Sequence, residues 1–230
     1  MIYQYNGRVN KTKVNIVSGC FMWVFIKSVI AGMLIGIGCV VFLMCPDRIV
    51  GSFLFSFGLF SILNMELNLY TGKIGYLVLN FNWEYIRDLG ITLVGNFIGT
   101  LIVALLIKLT RLNIMESVSV ITAVKLNDSY ISMFILAVFC GMLMYLGVDL
   151  FKTIDSYLGK FLSIMFAVMI FILSGFEHCI ADMFYFMVAG NLDVVVILIV
   201  IFGNTLGGML LCYLHTLCKK QNSNKEKITT

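Results

Sequence analysis

Charge is what this chain has least of. Only 12% of its 230 residues are Asp, Glu, Lys or Arg, against 60% apolar residues, whereas a soluble domain carries about 25% charged residues. That excludes an ordinary water-soluble globule and points to an integral membrane protein. Proline occurs once, at Pro46, and no Ser/Gly-rich linker interrupts the chain. One membrane domain over 1–230 is therefore expected, ending in a polar cytoplasmic tail at 219–230. Histidine occurs twice, and none of the seven cysteines forms a C-x-x-C pair. No metal, disulfide or cofactor role is expected, and the cysteines in apolar runs read as small buried hydrophobes. Basic residues gather at the ends: Arg8, Lys11, Lys13 and Lys27 at the start, Lys219, Lys220, Lys225 and Lys227 at the finish. With a net charge of only +4, they read as an orientation signal and not as a nucleic-acid surface. No cleavable signal peptide is evident, because the first apolar run continues at full spanning length.

What the chain does have is long apolar runs. A hydrocarbon core of about 30 Å needs about 20 apolar residues per helix. That rule predicts six spans: Phe21–Cys45, Ile49–Leu69, Leu89–Leu109, Ile131–Phe151, Leu158–Phe176 and Val194–Leu217. Two apolar pieces too short to span, Ile74–Phe81 and Met183–Ala189, follow polar interruptions, "NMELNLYTGK" and "GFEHCIAD". An interrupted helix frees N–H and C=O groups that lipid cannot satisfy, so such breaks belong inside protein or beside a water-filled cavity.

The chain also repeats itself. "AGMLIGIG" (31–38) resembles "CGMLMYLG" (140–147), and "GNFIGTLIVALL" from Gly95 resembles "GNTLGGMLLCYL" from Gly203. Glu66 in the first break pairs with Glu177 in the second on this reading. Each half, 21–113 and 130–218, then holds three spans, the second of them broken. Three is odd, so the halves enter the membrane from opposite sides, as an inverted repeat with the substrate path near the broken helices. The basic ends place both termini in the cytoplasm of a cell-membrane protein. The segments Asp47–Arg48, Leu109–Ser129 and Asn191–Asp193 then face outside.

"GFEH" after an apolar helix, "ELNLYTG" in the second span and "GN…G" in the third and sixth resemble the formate/nitrite transporter family, over roughly Lys13 to Leu217. The resemblance implies a homopentamer of aquaporin-like protomers, each with its own pore for a small monovalent anion or its weak acid. It implies a pore centre at Thr71 and His178. It implies apolar constrictions at Phe55 and Phe171 on the outer side, and at Leu59 and Tyr70 on the inner side. It also implies anion-attracting vestibule lysines, Lys125 outside and Lys13 inside. The sequence departs from the family pattern in three places: "TGN" reads "TGK" with Lys73, Asn four residues after the histidine is Asp182, and Asn after Cys140 is Gly141.

Glu66 and Glu177 are expected to support the breaks by accepting backbone N–H bonds or by contacting a neighbouring protomer. Asn96 and Asn204 are expected to tie the breaks to adjacent spans. For Asp182 two placements stay open: one turn from His178 it pairs with the imidazole, or it caps a short helix starting near Met183. The small-xxx-small glycine pairs Gly32/Gly36, Gly95/Gly99 and Gly203/Gly207 predict close helix packing. The expected mechanism is passage of a weak acid in its neutral form, anion plus proton, because a bare charge at membrane depth costs several kcal/mol. Two alternatives remain. Asp182 and Lys73 leave open a neutral or cationic solute, and Glu177, His178 and Asp182 leave open a membrane-embedded enzyme.

Overall fold

A computed structural model describes the backbone of residues 21–229 and the side chains of 21–220. Lys13 lies outside the described residues. The order is α1 (Phe21–Met44), α2 (Arg48–Asn64), α3 (Tyr70–Ile74) running into a 3-10 turn (Gly75–Val78), α4 (Trp83–Ile107), α5 (Met115–Leu126), α6 (Tyr130–Thr153), α7 (Tyr157–Leu173), α8 (Cys179–Ala189) and α9 (Val194–Thr229). Among the described residues, α1, α4, α6 and α9 are long and apolar enough to cross a membrane alone. At 17 residues each, α2 and α7 reach about 25 Å.

Polar residues between the apolar runs set the helix starts. Asp47 accepts from the N–H groups of Ile49 and Val50 at 2.8 and 2.9 Å. Asn82 opens α4, Ser129 opens α6 and Ser156 opens α7 in the same way, each satisfying donors that a helix start leaves orphaned. The 109–129 segment, read from sequence as a loop, holds α5, which packs on α8. The chain past Leu217 continues as α9 through Thr229.

Close packing pairs α1 with α4 and α6 with α9. An added Cβ on Gly207 of α9 would lie 1.9 Å from the Val138 carbonyl oxygen of α6, and one on Gly99 of α4 would lie 2.1 Å from that of Val29 of α1. Only glycine permits these approaches. The first half also packs on the second through α2 against α7 and α4 against α8.

The ends of α2 and α7 match bond for bond. Glu66 N–H donates to Leu63 C=O and Leu67 N–H to Ile62 C=O; Gly175 N–H donates to Ile172 C=O and Phe176 N–H to Phe171 C=O. Both are Schellman-type ends closed by a left-handed residue, Glu66 with φ 52° and Gly175 with φ 69°. Glu66 therefore corresponds to Gly175, and not to Glu177 as the sequence pairing has it. The structural counterpart of Glu177 is Asn68, at the same separation as between the two "GML" segments.

Candidate functional site

Two buried asparagines anchor the two interruptions. Asn96 of α4 accepts from Tyr70 N–H at 2.9 Å and donates to the carbonyls of Ser28 and Asn68 at 2.7 and 2.9 Å. Asn204 of α9 accepts from Cys179 N–H at 2.9 Å and donates to the carbonyls of Ala137 and Glu177, both at 2.8 Å. Each side chain thus uses its acceptor and both donors to satisfy backbone groups released where a helix stops. These bonds fix where α3 and α8 start.

Thr71 of α3 and His178 at the start of α8 meet there. Thr71 Oγ1 lies 2.9 Å from His178 Nε2, and both residues are almost fully buried. His178 Nδ1 accepts from Ala181 N–H at 3.2 Å and so caps α8. A nitrogen that accepts carries no hydrogen, so the neutral ring holds its proton on Nε2. Nε2–H then donates to Thr71, and the Thr71 hydroxyl hydrogen is left to donate elsewhere. Phe171 stacks on the imidazole at 5.4 Å, and Phe55 meets Phe171 edge-on at 6.2 Å.

A cavity opens on each side of this pair. One, of about 630 Å³, is lined by Phe55, Phe171, His178, Lys125, Glu177 and Asp182 among others. The other, of about 930 Å³, is lined by Leu59, Ile62, Leu69, Gly72 and Lys73 among others. Tyr70 lines neither cavity; its hydroxyl lies 2.9 Å from Thr205 Oγ1 of α9.

The charged residues settle differently from either sequence alternative. Asp182 Oδ1 lies 2.9 Å from Lys125 Nζ, and Glu177 Oε2 also binds that ammonium. Asp182 thus reaches neither the imidazole nor the cap position, because α8 begins at Cys179 and its cap is His178 itself. Glu177 serves the lysine and not the freed backbone, which the asparagines hold; Glu66 is exposed at the edge of the larger cavity. Lys125 is only 9% exposed. Burial works against its charge, but the Asp182 and Glu177 carboxylates more than offset that, holding the ammonium above the usual lysine range. Lys73 Nζ donates to Asn68 Oδ1 at 2.5 Å.

Sequence reasoning missed Asn68, whose carbonyl and side chain tie Asn96 to Lys73, because aligning Glu66 with Glu177 shifted the repeat by two residues. It also missed the cluster at the far mouth of the larger cavity. There Asp149 accepts from Tyr76 at 3.2 Å and lies 3.4 Å from His215, and Lys152 sits over the Tyr76 ring at 4.1 Å. These residues come from distant segments and carry no local motif. Among the described residues no cluster of metal-ligating side chains occurs.

Comparison with known proteins gives a consistent picture. The formate/nitrite transporter family profile matches residues 4–218. The chain is 27% identical over 224 residues to the uncharacterized transporter YrhG of Bacillus subtilis, covering 89% of this chain and 77% of that one. It is 25% identical over 215 residues to the formate channel BtFdhC of Bacillus thuringiensis, covering 88% and 78%. A solved pentameric formate channel with formate bound shares the fold with a TM-score of 0.69 at 22% identity, over 89% of this chain and 97% of that one.

Proposed function

The chain belongs to the formate/nitrite transporter family, and is a membrane transport protein and not an enzyme; from that premise we propose that each protomer is a pore for a small monovalent anion of the formate class, moved together with a proton. The observation that carries this reading is the Thr71–His178 hydrogen bond, closed in between two cavities. In this reading α1, α4, α6 and α9 are four of six spans. The pairs α2/α3 and α7/α8 form the broken second and fifth, in a 3+3 inverted repeat with both termini in the cytoplasm of the cell membrane. The matched ends of α2 and α7 and the matched asparagines support that arrangement.

The physical obstacle is the apolar passage. Phe55 and Phe171 flank the centre on one side and Leu59 and Leu69 on the other. A bare anion there loses its hydration and costs several kcal/mol. A weak acid avoids most of that by taking a proton in the vestibule, where low dielectric favours its neutral form. Between the constrictions the Thr71 hydroxyl, whose oxygen accepts from His178 Nε2–H, offers its own hydrogen to the acid's oxygens, so the solute exchanges water for a fixed hydrogen bond. Proteoliposome uptake of labelled formate should rise steeply as external pH falls, with an inward proton gradient accelerating it. Uptake indifferent to an imposed gradient of either sign argues against proton coupling. Transport of ammonium but not formate or nitrite overturns the anion assignment.

A further inference from the structure

The two places where the sequence departs most from the family pattern in charge are one structural position seen twice. Lys73 lies five residues after Asn68, and Asp182 lies five residues after Glu177, the structural counterpart of Asn68. The inverted arrangement puts these positions on opposite sides of the Thr71–His178 pair. The first half thus carries a cation where the second carries an anion.

The consequence differs at each mouth. The cavity that Lys73 lines is also lined by Lys152 and Lys160, three lysines against two carboxylates, Glu66 and Asp149. The Asp149 carboxylate is already engaged by Tyr76 and His215. The cavity that Asp182 lines has Arg48 and Lys125 against three carboxylates, Glu116, Glu177 and Asp182. Its buried lysine is held by two of those three. A cation paired with two carboxylates exerts no net attraction on a third anion. A cavity with an excess of lysines raises the local anion concentration, and low-dielectric walls strengthen the effect.

We propose that the pore is electrostatically polarised: the small monovalent anion is bound and concentrated from the Lys73 end, while Asp182 cancels the corresponding attraction at the Lys125 end. This rests on the transport reading above. The Lys73 end is also the end of α9 that carries Lys219 and Lys220, so it is the C-terminal side of the protein. A passive pore has no preferred direction at equilibrium, so the ratio of maximal rate to half-saturation concentration is equal from both sides. Polarisation therefore appears as a lower half-saturation concentration, matched by a lower maximal rate, for anion entering from the C-terminal side.

The test uses the full chain in proteoliposomes, with orientation read from protease accessibility of a C-terminal tag and membrane potential clamped at zero. Formate flux is measured from each side at fixed, equal pH. The half-saturation concentration from the C-terminal side should be lower by about tenfold, and raising salt on that side should narrow the gap. Lys73→Asn should raise that value towards the other side's. Asp182→Asn should lower the value from the Lys125 side, because it releases half of the charge holding that lysine. The unfolding midpoint in detergent checks that both variants keep the fold. Equal values from both sides in the wild type, or a gap that neither substitution moves, overturns the polarisation and leaves the transport reading standing. Absence of flux for formate, nitrite and hydrosulfide alike overturns both.

Discussion

At the scale of single residues, His178 does two things at once. Its Nδ1 caps α8 and thereby fixes which nitrogen carries the proton facing Thr71. His178→Phe keeps the ring that stacks on Phe171 and removes both functions. It should cut formate flux by at least about tenfold and lose about 1 kcal/mol of stability from the missing cap, measured by liposome flux and thermal unfolding in detergent. Thr71→Val is expected to reduce flux while keeping the α8 cap, and to cost about 1–3 kcal/mol because it leaves the buried His178 Nε2–H without its acceptor. Glu66 offers the opposite case. It holds a left-handed backbone conformation at the place where the second half uses Gly175, and for a residue with a Cβ that conformation costs about 1–2 kcal/mol. Glu66→Gly should therefore raise stability by about 1 kcal/mol, seen as a higher unfolding midpoint; an unchanged or lower midpoint contradicts the strain argument. The existence of polar residues at these places was legible in the sequence. Glu66 was expected to support its break by accepting backbone N–H bonds; its place as the left-handed end of α2 was not legible, because a φ angle leaves no trace in residue identity.

At the scale of elements, two asparagines and a few glycines hold the halves in register. Asn204→Ala leaves the Cys179 N–H buried with no acceptor and removes a donor from two carbonyls. The expected cost is about 3 kcal/mol, read as a lowered unfolding midpoint. Asn96→Ala should behave alike, since it makes the same three bonds in the first half. Gly207→Ala forces a methyl onto the Val138 carbonyl, so α6 and α9 must part, at a cost of about 3 kcal/mol. Long apolar runs made α1 and α6 readable to within a few residues, whereas α4 starts earlier, in polar first turns, and α9 runs on past the expected Leu217 to Thr229. The α5 helix escaped because its pattern has no apolar stripe to announce it: it lies among charged and polar residues and gains its place by packing on α8 and by the Lys125 pairing.

At the scale of the whole molecule, one protomer leaves many large side chains uncovered along the spans, among them Trp23, Phe57, Val94 and Phe202. In water such a surface drives aggregation; in a bilayer it meets lipid or a neighbouring protomer. We expect native mass spectrometry in detergent to give five copies, and a monomer that transports at full rate would count against the assembly.

The sequence by itself determined the class. Scarce charge and long apolar runs specify a membrane protein, and the motifs in its two polar interruptions and repeated segments point to its family. These features are local, so a linear reading finds them. Only the tertiary structure decided which charges meet. Lys125, Glu177 and Asp182 come from α5, the second interruption and α8, and their pairing depends on how α5 folds back onto α8. The pairing of Glu66 with Gly175 likewise follows from backbone hydrogen bonds, which carry no trace in residue identity. In the proposed pore, the attraction of each mouth for an anion is a sum over such contacts, and folding alone brings the terms together.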